Sequence, residues 1–232
     1  MKIFCLLQMS KGRLPLYGLI FAGIVLLLVW AFFCYRMDSE KSGMEIRPIP
    51  GIPQECLRDG YLICRHGDGI WSNCIIRHNF EDKRFSHIGI LSVYNGRVSV
   101  IHADTSNRFG VRGRVIQESL ETFLMHSRRI GIFRLKRFDA AQLASNARQY
   151  VGRPFDWKLN ADESEAIYCS ELVKLAIQKT EPGVALEHIW KKNGNSRIIP
   201  VDAFIRPQYA EELFDWKTRE PDSGTMKKAT SR

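Results

Sequence analysis

Tyr168-Cys169-Ser170-Glu171-Leu172-Val173 opens a stretch with helical spacing, in which Leu172, Val173, Ala176 and Ile177 are apolar. It predicts a helix from Cys169 to about Gln178. A cysteine at a helix start feels the positive end of the helix dipole, which favours thiolate. Upstream, Ser86-His87-Ile88-Gly89-Ile90 lies in the apolar run from Phe85 to Tyr94, which reads as a buried strand. A histidine able to take the thiol's proton would complete a nucleophile–base pair. The pairing, in this order, suggests a cysteine hydrolase or acyltransferase. Each half has an ordinary alternative. Free cysteine is often a core residue. A histidine inside a strand needs only a hydrogen-bond partner.

Working outward, Asn95-Gly96 is a strong hairpin turn, and Arg97 to Ala103 is the partner strand. With Tyr94 opposite Arg97, His87 falls opposite a residue near Asp104, and His102 is its diagonal neighbour. His102 could therefore orient His87 through its second nitrogen, as the third member of a triad does. A strand-end histidine in solvent is the alternative, and Asp104 is a rival orienter. Tyr168 precedes the cysteine, and its hydroxyl or a nearby backbone N–H could stabilise an oxyanion; otherwise it is a core tyrosine. Asp156 and Asp162 lie in the loop before Cys169, suited to capping turns or to shaping a substrate groove. Gly67 and Gly69 in His66-Gly67-Asp68-Gly69 would let backbone approach a substrate, although one Gly-x-Gly is weak evidence. His66, His78, His126 and His188 form no metal-ligand spacing. No metal or cofactor is expected.

The remaining elements follow from punctuation. Tyr61 to Arg65 reads as a strand that ends at His66-Gly67-Asp68-Gly69, and Trp71 to Ile76 as a short helix. Glu118 to His126 has helical character. Ile130 to Leu135 alternates as a strand. Asp139 can cap a helix running to about Val151, ended by Gly152-Arg153-Pro154. Asp202 would cap a final short helix before Pro207. The chain after Trp216 is polar and reads as a disordered basic tail over 217–232. Strands in the middle with helices on either side suggest an α+β domain over 55–216, with a small antiparallel sheet packed on helices.

Composition excludes some function classes. The net charge of +9 is concentrated at the ends. Lys2, Lys11, Arg13, Arg36 and Lys41 against Asp38 and Glu40 leave +3 in residues 1–41, and residues 217–232 carry another +3. Basic ends around a nearly balanced body fit topology and lipid headgroups better than a nucleic-acid face, and no nucleic-acid motif appears. Leu14 to Tyr35 contains no charged residue. As a helix it would be ~33 Å long, enough to cross a ~30 Å hydrocarbon core. Tyr17 lies near one end, with Trp30 and Tyr35 near the other, as in an aromatic belt. Trp30-Ala31-Phe32-Phe33-Cys34 lacks the small residues of a signal-peptide cleavage site. The expectation is a single transmembrane anchor over 14–35, after an N-terminal segment 1–13 and before a linker 36–54. The positive-inside rule favours a cytoplasmic N-terminus and a periplasmic body at an inner membrane. Cys56, Cys64 and Cys74 cluster in the body, where an oxidising compartment would permit a disulfide.

Taken together, Asp59-Gly60-Tyr61-Leu62-Ile63, Gly67-Asp68-Gly69, Ser86-His87-Ile88-Gly89-Ile90, Val100-Ile101-His102-Ala103, Gly152-Arg153-Pro154-Phe155-Asp156 and Tyr168-Cys169-Ser170-Glu171-Leu172-Val173 resemble the circularly permuted papain-like amidases of bacteria. These are the permuted branch of the NlpC-type cysteine hydrolases, distantly related to the lecithin:retinol acyltransferases. The resemblance spans about residues 55–210. It implies a papain-like fold with histidine before cysteine in the chain, Cys169 as nucleophile and His87 as base. It places His102 at a third position that is often Glu or His, and Tyr168 at the aromatic position beside the nucleophile. It implies peptide or amide substrates, with cell-wall peptides suiting the ordinary NlpC-type relatives. Lipid or acyl substrates suit the acyltransferase relatives, which leaves a lipid-directed thioesterase or acyltransferase as one alternative. A catalytically silent lipid- or peptide-binding module is another. Members of this branch are often exported or lipid-anchored, whereas this chain carries a candidate transmembrane anchor.

Overall fold

The computed structural model describes residues 21, 23–29, 51–67, 70–105, 113–125, 127–162, 165–184, 186 and 188–217. The chain divides into two units, Met1–Glu45 and Ile46–Arg232. In the first unit, Phe21 and residues 23–29 are helical and exposed. Among the described residues, no helix is long and apolar enough to cross a membrane. The predicted anchor over 14–35 lies mostly outside the described residues, as do residues 1–13, most of the linker and nearly all of the basic tail.

The second unit is built on a six-stranded antiparallel sheet in the order β4-β3-β2-β1-β5-β8. Its strands are β1 (Leu62–Gly67), β2 (His87–Tyr94), β3 (Arg97–Asp104), β4 (Arg114–Ser119), β5 (Ser127–Leu135) and β8 (Ala210–Lys217). The short strands β6 (Lys191–Asn193) and β7 (Ser196–Ile198) form a separate hairpin. The helices are α1 (Ile70–His78), α2 (Leu120–Leu124), α3 (Ala140–Arg148) and α4 (Cys169–Thr180). This is the expected α+β arrangement, with helices packed on an antiparallel sheet.

The two faces of the sheet bury different side chains, because successive residues of a strand point to opposite sides. Leu62, Cys64, Ile88, Ile90 and Ile101 share one core with Leu143 and Ala147 of α3 and with Cys169, Leu172, Val173 and Ala176 of α4. Ile63, Leu91, Val100, Ile130 and Ile132 share the other with Leu120, Phe123 and Leu124 of α2. The central strands are covered on both sides, so β1 and β2 read as continuous apolar runs rather than alternating ones. The Asn95-Gly96 hairpin forms as expected, with Tyr94 opposite Arg97. Asp139 caps α3, accepting the N–H of Gln142 at 2.9 Å.

Two expectations are corrected. Residues 118–126 are not one helix. Glu118 belongs to β4, and only Leu120–Leu124 is helical, because the Ser119 hydroxyl accepts the N–H of Thr122 and starts the helix there. Asp202 does not cap a helix of its own. It lies inside a 3-10 turn, Val201–Ala203, and its buried carboxylate accepts the N–H groups of Phe80, Glu81 and Asp82 at 2.9, 2.9 and 3.1 Å. The chain up to Lys217 is strand β8, paired along β5. Its Glu211, Glu212 and Asp215 broke the apolar signal, as acidic residues on a sheet edge do. Cys56, Cys64, Cys74 and Cys169 are all free thiols.

Candidate active site

Cys169 is the first residue of α4, and its neighbourhood follows from how β2 meets β3. The β2–β3 ladder starts at Ile90–Ile101, whereas β2 pairs with β1 as far as His87–Arg65. The N–H of Ile88 is thus left beyond the β3 ladder. It points at the sulfur of Cys169, and so does the N–H of Ser170. The helix start carrying the cysteine therefore abuts the backbone of the residue that follows His87.

The thiol is buried, and burial raises its pKa above the ordinary value, with the N–H groups of Ile88 and Ser170 acting in the opposite direction. His87 is held well below the usual imidazole value by burial first, then by the charges of Arg65 and His102. Both shifts favour the neutral form of each group, whereas the helix dipole alone would favour a thiolate at Cys169.

His87 Nε2 lies 2.9 Å from His102 Nδ1, with the rings nearly perpendicular. His102 is fully buried, and its Nε2 lies 3.0 Å from Glu118 Oε1. Burial lowers the pKa of His102, while the hydrogen bond to Glu118 raises it in part. The diagonal relation expected between His87 and His102 is present, and the charge of Asp104 acts on His102. Gly89 makes room for it. A Cβ there would meet Val100 Cγ1 at 2.6 Å and His102 Cβ at 3.1 Å. Phe123 packs against both imidazoles, with ring centroids 5.9 Å from His87 and 5.0 Å from His102. The Arg65 guanidinium lies 4.4 Å from the Phe123 centroid and donates to the Phe123 carbonyl at 2.7 Å.

The other described candidates make contacts within the fold. The hydroxyl of Tyr168 accepts the N–H of Ile199 at 2.8 Å in the core. Asp156 is buried and makes a turn, accepting the N–H groups of Lys158 at 2.8 Å and Asn160 at 2.6 Å. Asp162 accepts from Arg197 Nε at 2.8 Å. Gly67 sits at a bulge of β1, with its N–H on the Ser86 hydroxyl at 3.2 Å. Gly69 lies outside the described residues. Glu118, Arg65 and Phe123 were not singled out from the sequence. Arg65 closes the strand legible from Tyr61 and could have been, whereas Glu118-Ser119-Leu120 reads equally as a strand end and as a helix start.

The family model for permuted papain-like amidase enzymes of the YaeF/YiiX type, the C92 family, matches residues 63–193. The chain belongs to this family. Its architecture is also similar to the crystal structure of the metalloprotein yiiX from Escherichia coli O157:H7, at 17% identity and a TM-score of 0.55. That likeness covers 69% of this chain and 98% of the other, and at this identity it concerns the fold. No curated protein sequence matches the chain. Among the described residues, no group of three or more His, Cys, Asp or Glu side chains could hold a metal ion.

Proposed function

We propose that this protein is a membrane-anchored cysteine amidase whose nucleophile is Cys169 and whose base is His87. The supporting observation is that the Cys169 sulfur faces the N–H of Ile88, next in the chain to His87. His87 uses Nε2 on His102, so Nδ1, the nitrogen nearer its own backbone, is left for the thiol. In the reaction, Cys169 attacks the carbonyl of an amide as His87 takes its proton. His87 then protonates the leaving amine, and the acyl-enzyme forms. Water, deprotonated by the same histidine, attacks that thioester and releases the acid. The N–H groups of Ser170 and Ile88 act on the sulfur and are suited to the oxyanion. His102 holds His87 in its working orientation.

The substrate class in this reading is a peptide or amide of the cell wall. The uncharged stretch 14–35 would anchor the domain at an inner membrane, with its N-terminus cytoplasmic and its body periplasmic. A lipid ester or thioester is the second reading. The exposed apolar residues Phe21 and Ile24 to Val29 favour it, since they would bring the domain close to lipid.

The test uses full-length protein with cell-wall peptides and, in parallel, acyl esters in detergent micelles. Mass spectrometry should capture an acyl adduct on Cys169, and Cys169→Ala should lose adduct and turnover together. Turnover by Cys169→Ala would overturn the nucleophile assignment. An adduct formed only from acyl esters would transfer the substrate to lipid. No adduct from either class would leave a silent binding module.

A further inference from the structure

His87 can act as a base toward Cys169 only if its proton sits on the nitrogen that faces away from the sulfur. Nothing in the His87 ring itself makes that choice, since the two neutral tautomers of imidazole differ little in energy. The choice is made further out. Glu118 and His102 project from adjacent strands on the same face of the sheet, with Val100 opposite Glu118 and Ile116 opposite His102. Glu118 Oε1 lies 3.0 Å from His102 Nε2, and the Glu118 side chain is only 9% exposed. A carboxylate oxygen accepts and cannot donate, so His102 Nε2 carries a proton. A neutral His102 then has its lone pair on Nδ1. That atom lies 2.9 Å from His87 Nε2, which must donate. A neutral His87 with its proton on Nε2 presents a bare Nδ1.

We propose that Glu118 is a positioning residue that sets the tautomer of His87 through His102, so that the nitrogen left for Cys169 is unprotonated. The catalytic consequence rests on the Cys169–His87 reading above; the tautomer assignment does not. The opposite arrangement is self-consistent chemically but inactive. A proton on His102 Nδ1 would donate to His87 Nε2, move the remaining His87 proton to Nδ1, and block the base. That arrangement would also leave the Glu118 carboxylate facing a second acceptor across 3.0 Å, a repulsive contact at a nearly dry site. Phe123 packs against both rings, and Arg65 beside it opposes a second proton on either ring.

The experiment is nitrogen NMR of full-length protein labelled at its six histidines, with His87 and His102 assigned from His87→Gln and His102→Gln spectra. It needs no turnover. In the unmodified protein both rings should carry their proton on Nε2 and none on Nδ1. A protonated Nδ1 on resting His87 would overturn the proposal without any variant. In Glu118→Ala, the His87 ring should become a mixture of tautomers, and kcat on the amide substrate should fall about tenfold or more with little change in KM. A His87 tautomer unchanged in Glu118→Ala would also overturn it. If the tautomer shifts while Cys169→Ala still turns over substrate, the relay stands and the Cys169 reading fails.

Discussion

His87 Nε2 lies 2.9 Å from His102 Nδ1, although the ladder joining their strands stops at Ile90–Ile101 before it reaches His87. The parting of the strands creates the site. Had the pairing continued, β3 would have taken the Ile88 N–H that now faces the Cys169 sulfur. The two imidazoles restore across the gap a connection that the backbone gives up.

This geometry separates the roles of the two histidines. In the proposed reaction His87→Ala removes the base and is expected to lower kcat/KM by about a hundredfold to ten-thousandfold. His102→Ala leaves the base but not its orientation, and the expected loss is smaller, about tenfold to a hundredfold. Steady-state kinetics on the same amide substrate would decide the matter. Equal losses would show that the two rings act as one unit, against the division of roles argued here.

The pH profile follows from the directions of the shifts. His87 is pushed well below the ordinary 6.5, so protonation of the base, and the acid limb of activity, fall below that value. The Cys169 thiol is raised above 9.0, so the limb set by its ionisation lies in the alkaline range. A broad plateau in kcat/KM between them is expected, with apparent values that belong to the coupled pair. Iodoacetamide labelling of resting Cys169 should accelerate only at alkaline pH. A limb near neutrality, or rapid labelling at pH 6, would show a preformed thiolate–imidazolium pair and contradict this electrostatic account.

Asp202 governs where His87 sits. Its carboxylate holds the N–H groups of Phe80, Glu81 and Asp82, and Asn79 beside them donates to the Phe85 carbonyl at 2.9 Å and accepts from Val201 N–H at 3.2 Å. That loop runs directly into β2. Asp202→Ala strips three charge-assisted bonds from a buried turn and is expected to cost about 3 kcal/mol or more in denaturant unfolding. The folded fraction should also lose activity, because the strand entry is no longer fixed. A variant as stable and as active as the parent would show the loop to be held by other contacts.

Glu171, two residues after Cys169 in α4, makes its own contribution to the pH dependence of stability. Burial pushes its carboxyl up from 4.5 to about 7, against the pull of Lys174 at 3.2 Å and the Tyr168 N–H, and Oε2 has no hydrogen-bond partner among the described residues. The folded state therefore holds this proton more tightly than the unfolded chain does. The associated stability is present below 4.5 and is lost as the pH rises to about 7. Allowing for partial screening, the expected loss is roughly 1–2 kcal/mol between pH 5 and pH 8. Glu171→Gln cannot ionise and should flatten that part of the curve, measured by thermal unfolding at the two pH values. An unaltered slope would assign the pH dependence to other groups.

Much of this was legible in the chain. Cys169 at a helix start and His87 in an apolar strand could be read from periodicity, and Asn95-Gly96 set the register that brought His102 into range. Asp139 announced its helix by the usual capping chemistry. Glu118 was not legible, because Glu118-Ser119-Leu120 reads equally as a helix start and as a strand end. The Ser119 cap decides it, and the cap's partner, Thr122, lies beyond the point where the two readings diverge. β8 escaped for a related reason. An edge strand need not alternate cleanly when only part of one face is covered.

Local chemistry in the sequence thus determined which side chains could act: a thiol at a helix N-terminus, an imidazole on a strand and a second imidazole across a tight turn. These follow from short-range periodicity and turn geometry, which neighbouring residues specify among themselves. Only the tertiary structure decided their protonation and their partners. Burial at the start of α4 raises the Cys169 thiol, and burial beside Phe123 lowers the His87 imidazole, so that both favour the neutral form. The separation of β3 from β2 exposes the Ile88 N–H, and the pairing of β4 with β3 brings Glu118 to His102. Desolvation and long-range strand pairing are properties of the assembled fold, because each depends on residues far apart in the chain arriving at one place.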